Sequence, residues 1–204
     1  MACDSGNLRR VKAMVDSLDQ DDRESLASVR MEGIGALHAA TMKGKVEICR
    51  YLVEVLKFDV NSVDTPESGG TPLIFAALDG QVAAARYLLD KGADPNKQDH
   101  QGCAPLHEAA KEGYDEIAQL LLSRGAIVDI ASSEGTPLHA AAVYGKTGIM
   151  QILLEHHADV SDKDIKVQLK SHDEKTVKKQ GAGSSKTCPD DKASGKGRKA
   201  QLKL

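Results

Sequence analysis

Residues 136–145 read Thr-Pro-Leu-His-Ala-Ala-Ala-Val-Tyr-Gly, and related versions of this segment occur three times earlier in the chain. The leucines that anchor the four copies are 36, 33 and 32 residues apart, namely Leu37, Leu73, Leu106 and Leu138. A glycine follows seven residues after each anchor, at Gly44, Gly80, Gly113 and Gly145. Self-similarity at such a period is typical of proteins built by stacking copies of one supersecondary unit.

Each unit is predicted to be a pair of short helices. Thr71-Pro72 and Thr136-Pro137 indicate a helix start, because threonine caps free N–H groups and proline suits the first helical turn. The glycine seven residues after each anchor is expected to end this helix in the left-handed conformation. Apolar residues then recur 11, 12, 15 and 16 positions after the anchor, as at Ile117 and Leu121, and form one face of a second helix.

These units resemble ankyrin repeats, whose pattern is a turn, Thr-Pro-Leu-His, two alanines, a glycine, a second helix and Gly-Ala-Asp. Thr136-Pro137-Leu138-His139 and Gly92-Ala93-Asp94-Pro95-Asn96 match that pattern closely. The resemblance implies an all-α fold, an ankyrin-repeat solenoid of stacked helix-turn-helix units with projecting turns. It divides the chain into a partial N-terminal repeat or cap (1–31), four ankyrin repeats (32–162) and a tail (163–204).

Both ends of the array are predicted to be incompletely covered. Near the N-terminus, Val11, Met14 and Val15 lack a complete partner helix, and an acidic linker is expected at about 19–24. At the other end the last unit carries an apolar stripe with no following repeat, made of Met150, Leu153 and Leu154. Exposed apolar surface of this kind predicts weak self-association through the two ends.

Three segments are similar to a narrower family, the plant (especially grass) proteins that carry an ankyrin array followed by tetratricopeptide repeats. The segments are 49–54 (Cys-Arg-Tyr-Leu-Val-Glu), 85–90 (Ala-Arg-Tyr-Leu-Leu-Asp) and 153–159 (Leu-Leu-Glu-His-His-Ala-Asp). This resemblance implies that the chain corresponds to the N-terminal ankyrin array of such a protein, apparently truncated, because no tetratricopeptide pattern is visible.

Composition fits a repeat array better than a conventional globular domain. Aromatic residues make up 3% of the chain and tryptophan is absent, so a large core built on rings is not expected. The sequence has neither an apolar run long enough to span a membrane nor a hydrophobic signal segment at residues 1–10. The four cysteines lack Cys-x-x-Cys spacing, which predicts reduced thiols and a cytoplasmic and/or nuclear location.

The charge of −3 conceals two halves of opposite sign. Residues 1–160 hold 15 Lys/Arg and 24 Asp/Glu, whereas residues 161–204 hold 12 and 6. The basic, low-complexity tail cannot bury enough apolar surface to fold, so we expect it to be disordered. It lacks aromatic residues for base stacking, and aspartates interrupt it, so nucleic-acid binding is not favoured. A nuclear-import role for Lys196-Gly197-Arg198-Lys199 remains open.

Sequence motifs for catalysis, metals and cofactors are weak. His38, His107 and His139 each follow an anchor leucine, so repetition explains them; in ankyrin repeats this imidazole bonds between neighbouring turns. Residues 181–187 (Gly-Ala-Gly-Ser-Ser-Lys-Thr) resemble a phosphate loop but lack the glycine before the lysine and a preceding strand. No metal site, no cofactor and no enzymatic activity are therefore expected.

The resemblance places partner binding on the concave face, formed by the turns and the exposed side of each first helix. The corresponding residues lie five and six positions after each anchor: Met42, Lys43, Leu78, Asp79, Lys111, Glu112, Val143 and Tyr144. The best-formed turn adds His100, Gln101 and Cys103. Met42 and Leu78 fit two alternatives equally, an interface or a cover for the neighbouring helix, whereas Tyr144 favours an interface.

Two functions follow from the sequence. The first is an adaptor that binds another protein, of unknown identity, through the concave face. The alternative is a regulatory N-terminal fragment of a longer, co-chaperone-like protein with ankyrin and tetratricopeptide repeats.

Overall fold

A computed structural model describes residues 8–31 and 33–160. Within these ranges the chain is an all-α array with four complete helix pairs, as the spacing of the anchor leucines predicts. The predicted disordered tail (163–204) lies outside the described residues, and so does the segment 1–7.

The helix pairs follow one another in chain order. Their first helices are α3 (Ala36–Met42), α5 (Pro72–Leu78), α7 (Pro105–Glu112) and α9 (Pro137–Val143). Their second helices are α4 (Val46–Arg50, continued by a π-helical turn, Tyr51–Val55), α6 (Val82–Asp90), α8 (Asp115–Ser123) and α10 (Thr147–Glu155). A short N-terminal region precedes them, with α1 (Leu8–Asp16), α2 (Gln20–Ser25), a 3₁₀ turn (Leu26–Ser28) and a hairpin of β1 (Arg30–Met31) and β2 (Ile34–Gly35).

The predicted helix starts are confirmed, although one of the helices is capped by a different side chain. Thr71 Oγ1 accepts a hydrogen bond from the Ile74 N–H at 3.3 Å, and Thr136 Oγ1 accepts one from the His139 N–H at 3.4 Å. Alanine replaces threonine at the start of α7, and there Nδ1 of His107 accepts a bond from the Ala104 N–H at 3.1 Å. Each cap satisfies a backbone N–H at the helix start.

The glycine that follows each first helix has positive φ in all four pairs, between +63° and +89°. At these positions the chain turns sharply into the second helix, and a side chain would be strained. The next pair also packs here, since a Cβ on Gly80 would lie 2.8 Å from the ring of Tyr114. One residue type therefore serves both the turn and the stacking.

Anchor leucines and small residues form the seam between pairs. Helix α5 packs against both α3 and α7, and α7 packs against α9, while the second helices pack in the same order. Leu73, Leu106 and Leu138 are at most 1% exposed, and Ala76 and Ala109 are fully buried. Alanine lets neighbouring helices approach closely at the density of a protein core.

Asparagine or aspartate side chains join consecutive pairs beyond the second helices. Asn96 Nδ2 donates to the Gly125 carbonyl at 3.0 Å, and its Oδ1 accepts from the Ile127 N–H at 2.8 Å. Asn61 makes the same two bonds one repeat earlier, to Gly92 and Asp94. At the last junction the equivalent residues, Asp129 and Asp159, are joined by an Asp159 N–H bond to Asp129 Oδ1 at 3.0 Å.

The 36-residue spacing of the first two anchors comes from local insertions. Gly44 to Asn61 spans one residue more than Gly80 to Asn96, and the π-helical turn accommodates that extra residue. Asn61 to Leu73 is two residues longer than the next equivalent segment, so the intervening turn is longer. The fourth anchor comes early because the turn before it is one residue shorter than the turn before Leu106.

The N-terminal region differs from the prediction in two ways. The expected acidic linker is helical in α2, whose start is capped by Asp19 Oδ1 accepting from the Asp22 N–H at 2.8 Å. Val11 and Val15, which were expected to lack a complete partner helix, are nevertheless buried, because α1 packs against α4. Met14, on the other side of the helix, is 57% exposed.

The apolar stripe of the last unit is also less exposed than predicted. Met150 and Leu153 are buried in the core, whereas Leu154 is 39% exposed. The residue after α10 that turns the chain is His157, which has a φ of +65° where the second and third pairs have Gly92 and Gly125. Replacement of the usual glycine therefore strains the backbone.

Candidate functional site

The predicted binding residues of the first helices lie where those helices end. Met42, Leu78 and Val143 are the last residues of α3, α5 and α9. Asp79 and Tyr144 are the next residues and cap their helices. This position follows from the glycine at the next step of the motif, because the helix must end before it.

A cleft between the third and fourth pairs brings five of the predicted residues together. These are Gln101, Cys103, Lys111, Val143 and Tyr144. Six further residues complete its lining: His107, Glu108, Ser132, Glu134, Thr136 and Ala140. The cleft has a volume of about 270 Å³, slightly below the range of about 300–1,000 Å³ typical of small-molecule sites.

The other predicted residues do not line this cleft. They are Met42, Lys43, Leu78, Asp79, His100 and Glu112. Leu78 is 36% exposed at the end of α5, whereas Met42 is only partly exposed at the end of α3. The cleft therefore draws its predicted residues from the third and fourth repeats, and those of the first two repeats lie outside it.

One wall of the cleft is apolar and open to solvent. Val143 is 58% exposed and Tyr144 is 50% exposed, although both belong to the ordered end of α9. The ammonium of Lys111 lies 5.7 Å from the centroid of the Tyr144 ring. This arrangement is a cation–π contact made across the junction between two repeats.

The floor of the cleft carries a half-buried acid, Glu108. Burial raises the pKa of its carboxyl, the nearby Lys111 ammonium opposes that rise, and the like charges of Asp99, Glu112 and Glu134 reinforce it. Glu108 in turn is the main reason that the pKa of Lys111 is raised. The cleft is therefore lined by two carboxylates, those of Glu108 and Glu134, and by one ammonium, that of Lys111.

His107 has a structural role, and its two ring nitrogens have fixed functions. Because Nδ1 accepts from the Ala104 N–H, the proton must be on Nε2, which donates to the Gly135 carbonyl at 3.1 Å. Burial lowers its pKa, which favours the neutral ring. His38 Nε2 makes the equivalent contacts, 3.2 Å from the carbonyls of Ser62 and Gly70. The prediction that these imidazoles join neighbouring turns is confirmed for both.

Cys103 is not placed as a reactive thiol. The side chain is buried, and burial together with neighbouring carboxylates raises the pKa of the thiol, which disfavours the nucleophilic thiolate. Its backbone N–H donates to Asp99 Oδ1 at 2.8 Å, as does that of Gln101. Asp99 thus fixes the turn that forms the upper rim of the cleft.

His100 is exposed but also connects two turns. Its backbone N–H donates to the Ser68 carbonyl at 2.9 Å, and its ring Nδ1 lies 3.0 Å from the Glu67 carbonyl. One edge of the imidazole is thus engaged within the array. Its predicted role in partner binding would use the other edge.

Sequence reasoning missed the two acids of the cleft. Glu108 stands two residues after its anchor, where the other repeats have Ala39, Phe75 and Ala140. A carboxylate at a position that is otherwise small or apolar is a departure that the motif alignment could have revealed. Glu134 lies in the shortened turn before α9, and its proximity to Glu108 depends on the stacking of the pairs.

The described residues contain no group of three or more His, Cys, Asp or Glu side chains arranged to hold a metal ion. Across the same residues, every helix falls short of the length and apolar character that a bilayer crossing requires.

The stacked helix pairs and their turns define a repeat protein of the kind that presents a recognition surface. A family model described as "Ankyrin repeats (3 copies)" matches residues 1–99 and 92–164. The chain belongs to the ankyrin-repeat family, which confirms the ankyrin resemblance of its repeated units. Ankyrin repeats generally mediate protein–protein interaction, and proteins built from them are typically not enzymes.

Individual relatives are diverse. The chain is 30% identical over 159 residues to human transient receptor potential cation channel subfamily A member 1. That alignment covers 76% of this chain and 13% of the channel. It is 37% identical over 122 residues to a putative ankyrin repeat protein of Rickettsia felis, covering 58% of this chain and 53% of that protein. It is 39% identical over 87 residues to mouse protein fem-1 homolog A-like, covering 43% of this chain and 13% of that protein. The chain thus spans between about an eighth and about half of these relatives.

Proposed function

We propose that this chain is an adaptor that binds another protein through the face formed by the ends of the first helices and the adjoining turns, the concave face of ankyrin arrays. The observation that carries the proposal is the exposure of Val143 and Tyr144, 58% and 50%, on the rim of the cleft. A partner can cover these exposed apolar side chains at the helix end without an energetic penalty. Tyrosine is also enriched at interface hot spots. Leu78 extends this surface toward the second pair.

Affinity capture with matched variants tests the surface. Leu78→Asp with Tyr144→Asp places two charges on the proposed face, and Ile127→Asp with Leu154→Asp places two charges on exposed apolar residues elsewhere. We expect partners to be lost from the first variant and retained by the second, with both proteins keeping the helical signal of the wild type. Equal loss from both variants, or equal retention, would reject the face.

The narrower alternative is that the chain is the N-terminal regulatory part of a co-chaperone-like plant protein with tetratricopeptide repeats. It is supported by the segments similar to that family. Sequencing of the full-length transcript tests it. A downstream tetratricopeptide region would support this alternative, and a stop codon directly after residue 204 would reject it.

Two further expectations belong with this proposal. The basic motif at 196–199 and the four cysteines without Cys-x-x-Cys spacing support a cytoplasmic and/or nuclear location, which microscopy of the tagged chain tests. Met14 and Leu154, which are 57% and 39% exposed, support weak self-association through the ends of the array. Sedimentation of wild type and of Met14→Asp with Leu154→Asp tests it, and a concentration-independent monomer in both would reject it.

A further inference from the structure

We infer that the cleft between the third and fourth helix pairs binds a basic side chain, arginine or lysine, from an extended segment of the partner protein. The inference rests on the proposed function, because it names the chemistry of the ligand at that same face. It is carried by the charge of the cleft, by the position of an internal cation and by the shape of the rim.

Charge gives the first argument. Glu108 and Glu134 line the cleft, and Asp99 and Glu112 are close enough to act on Glu108. Lys111 also lines the cleft, and its ammonium acts on Glu108. The lining of the cleft thus has two carboxylates and one ammonium, and this excess of negative charge is complementary to a cationic ligand.

The internal cation marks where a ligand cation would lie. The Lys111 ammonium is 5.7 Å from the centre of the Tyr144 ring, and Glu108 is its strongest charged neighbour. Lys111 is on α7 and Tyr144 follows α9, so the ring and the carboxylate form one site only because the two pairs stack. A second cation can share the ring and the remaining carboxylates, since Tyr144 is 50% exposed.

Shape and surroundings favour a side chain on a peptide. A volume of about 270 Å³ suits one long side chain better than a cofactor. Val143, 58% exposed beside the ring, offers apolar contact to the neighbouring residues of the same peptide. An arginine can stack its planar guanidinium on Tyr144 while donating to a carboxylate, whereas a lysine supplies a point charge.

Selection from a phage-displayed library of random peptides, with the full chain as bait, is the first test. We expect arginine or lysine to be enriched at one position, flanked by apolar residues. Selected peptides should not bind Val143→Asp with Tyr144→Asp. Peptides that depend on these two residues but show no basic preference would overturn this inference and leave the proposed function standing. Peptides that bind this variant as well as wild type would count against the proposed face itself.

A double-mutant cycle on one selected peptide then locates the contact. Replacing its basic residue with glutamine should weaken binding about tenfold to wild type but less than about threefold to Glu108→Gln, because the carboxylate partner is already lost. Glu116→Gln is the matched control, since it removes a carboxylate from α8 of the same repeat, outside the cleft. A tenfold loss in all three proteins would overturn the assignment.

The chain's own basic segment is the competing occupant. A synthetic peptide of residues 161–204, which holds 12 Lys/Arg, is added as a competitor. Failure to compete supports a partner ligand. Competition that disappears in Glu108→Gln would assign the cleft to this segment and overturn the assignment to a partner.

Discussion

The Nε2 atom of His107 lies 3.1 Å from the carbonyl oxygen of Gly135, so one imidazole joins the start of the third helix pair to the turn that begins the fourth. The bond requires a proton on Nε2, and the Ala104 N–H requires an unprotonated Nδ1. Protonation of the ring would therefore break the cap of α7 while leaving the bond to Gly135.

This relationship makes the array sensitive to pH. The pKa of His107 is lowered from 6.5 in the folded state, so between the two values the unfolded chain binds more protons. The stability that neutral His107 contributes is complete above 6.5 and is lost as the pH falls below it. We expect the unfolding free energy to drop between about pH 7.5 and about pH 5.5, and to drop less in His107→Gln. Urea titrations at the two pH values measure this, and an equal drop in both proteins would contradict it.

Glu108 has the opposite pH dependence. Its pKa is raised above the ordinary 4.5, mainly by burial, so the folded state disfavours the charged form. This cost is absent below 4.5 and is complete once the pH has risen through the folded pKa. Glu108→Gln should therefore melt at a higher temperature than wild type at neutral pH, with the difference shrinking in acid. Scanning calorimetry at both pH values checks this, and Glu116→Gln serves as the exposed control.

Two glycines separate the cost of backbone conformation from the cost of packing. Gly92 and Gly102 have similar φ values, +88° and +81°, but a Cβ meets nothing within 4 Å at Gly92 and lies 3.1 Å from the Ser132 Cα at Gly102. We expect Gly92→Ala to cost about 1 kcal/mol for the left-handed conformation. Gly102→Ala should cost about 1 kcal/mol more, because backbone must move. Chemical denaturation measures both, and equal costs would show that the turn adjusts freely.

The side-chain hydrogen bonds between repeats can be tested at two equivalent positions, by removing them at Asn96 and by adding the missing donor at Asp129. Asn96→Ala removes the bonds to Gly125 and Ile127 and should cost about 1 kcal/mol, a modest value because water can reach the site. Asp129→Asn adds an N–H donor where Asn96 and Asn61 have one, aimed at the His157 carbonyl by analogy, and should raise stability. Hydrogen exchange of the last pair measures the second effect, and faster exchange there would contradict it.

The strained backbone at His157, after the last helix, should be relieved by a single substitution. His157 has a φ of +65°, where an L residue pays about 1 kcal/mol relative to glycine. We expect His157→Gly to stabilise the fourth pair by roughly that amount. Lys57, with a φ of +57° at the equivalent place in the first pair, provides an independent test through Lys57→Gly. Unchanged melting temperatures for both variants would show that the strain is relieved in another way.

The features predicted best are those that the motif itself encodes. The helix starts at Thr71 and Thr136 and the turn at Gly80 depend on groups within a few residues of one another, so spacing alone is enough to identify them. The N-terminal prediction was less accurate, because the burial of Val11 and Val15 depends on contact with α4, about 30 residues away. An acidic composition likewise did not prevent the helix at Gln20–Ser25, where Asp19 supplies the cap.

The sequence by itself determined the repeat, its four helix pairs and the place where each first helix ends, because these follow from hydrophobic periodicity, caps and positive-φ glycines. It also marked Lys111 and Tyr144 as surface residues. Only the tertiary structure placed the Lys111 ammonium against the Tyr144 ring and brought Glu108 together with Glu134. Those contacts join neighbouring repeats and depend on the distance at which two helix pairs stack. The packing of Leu106 and the buried alanines, acting across the whole seam, sets that distance.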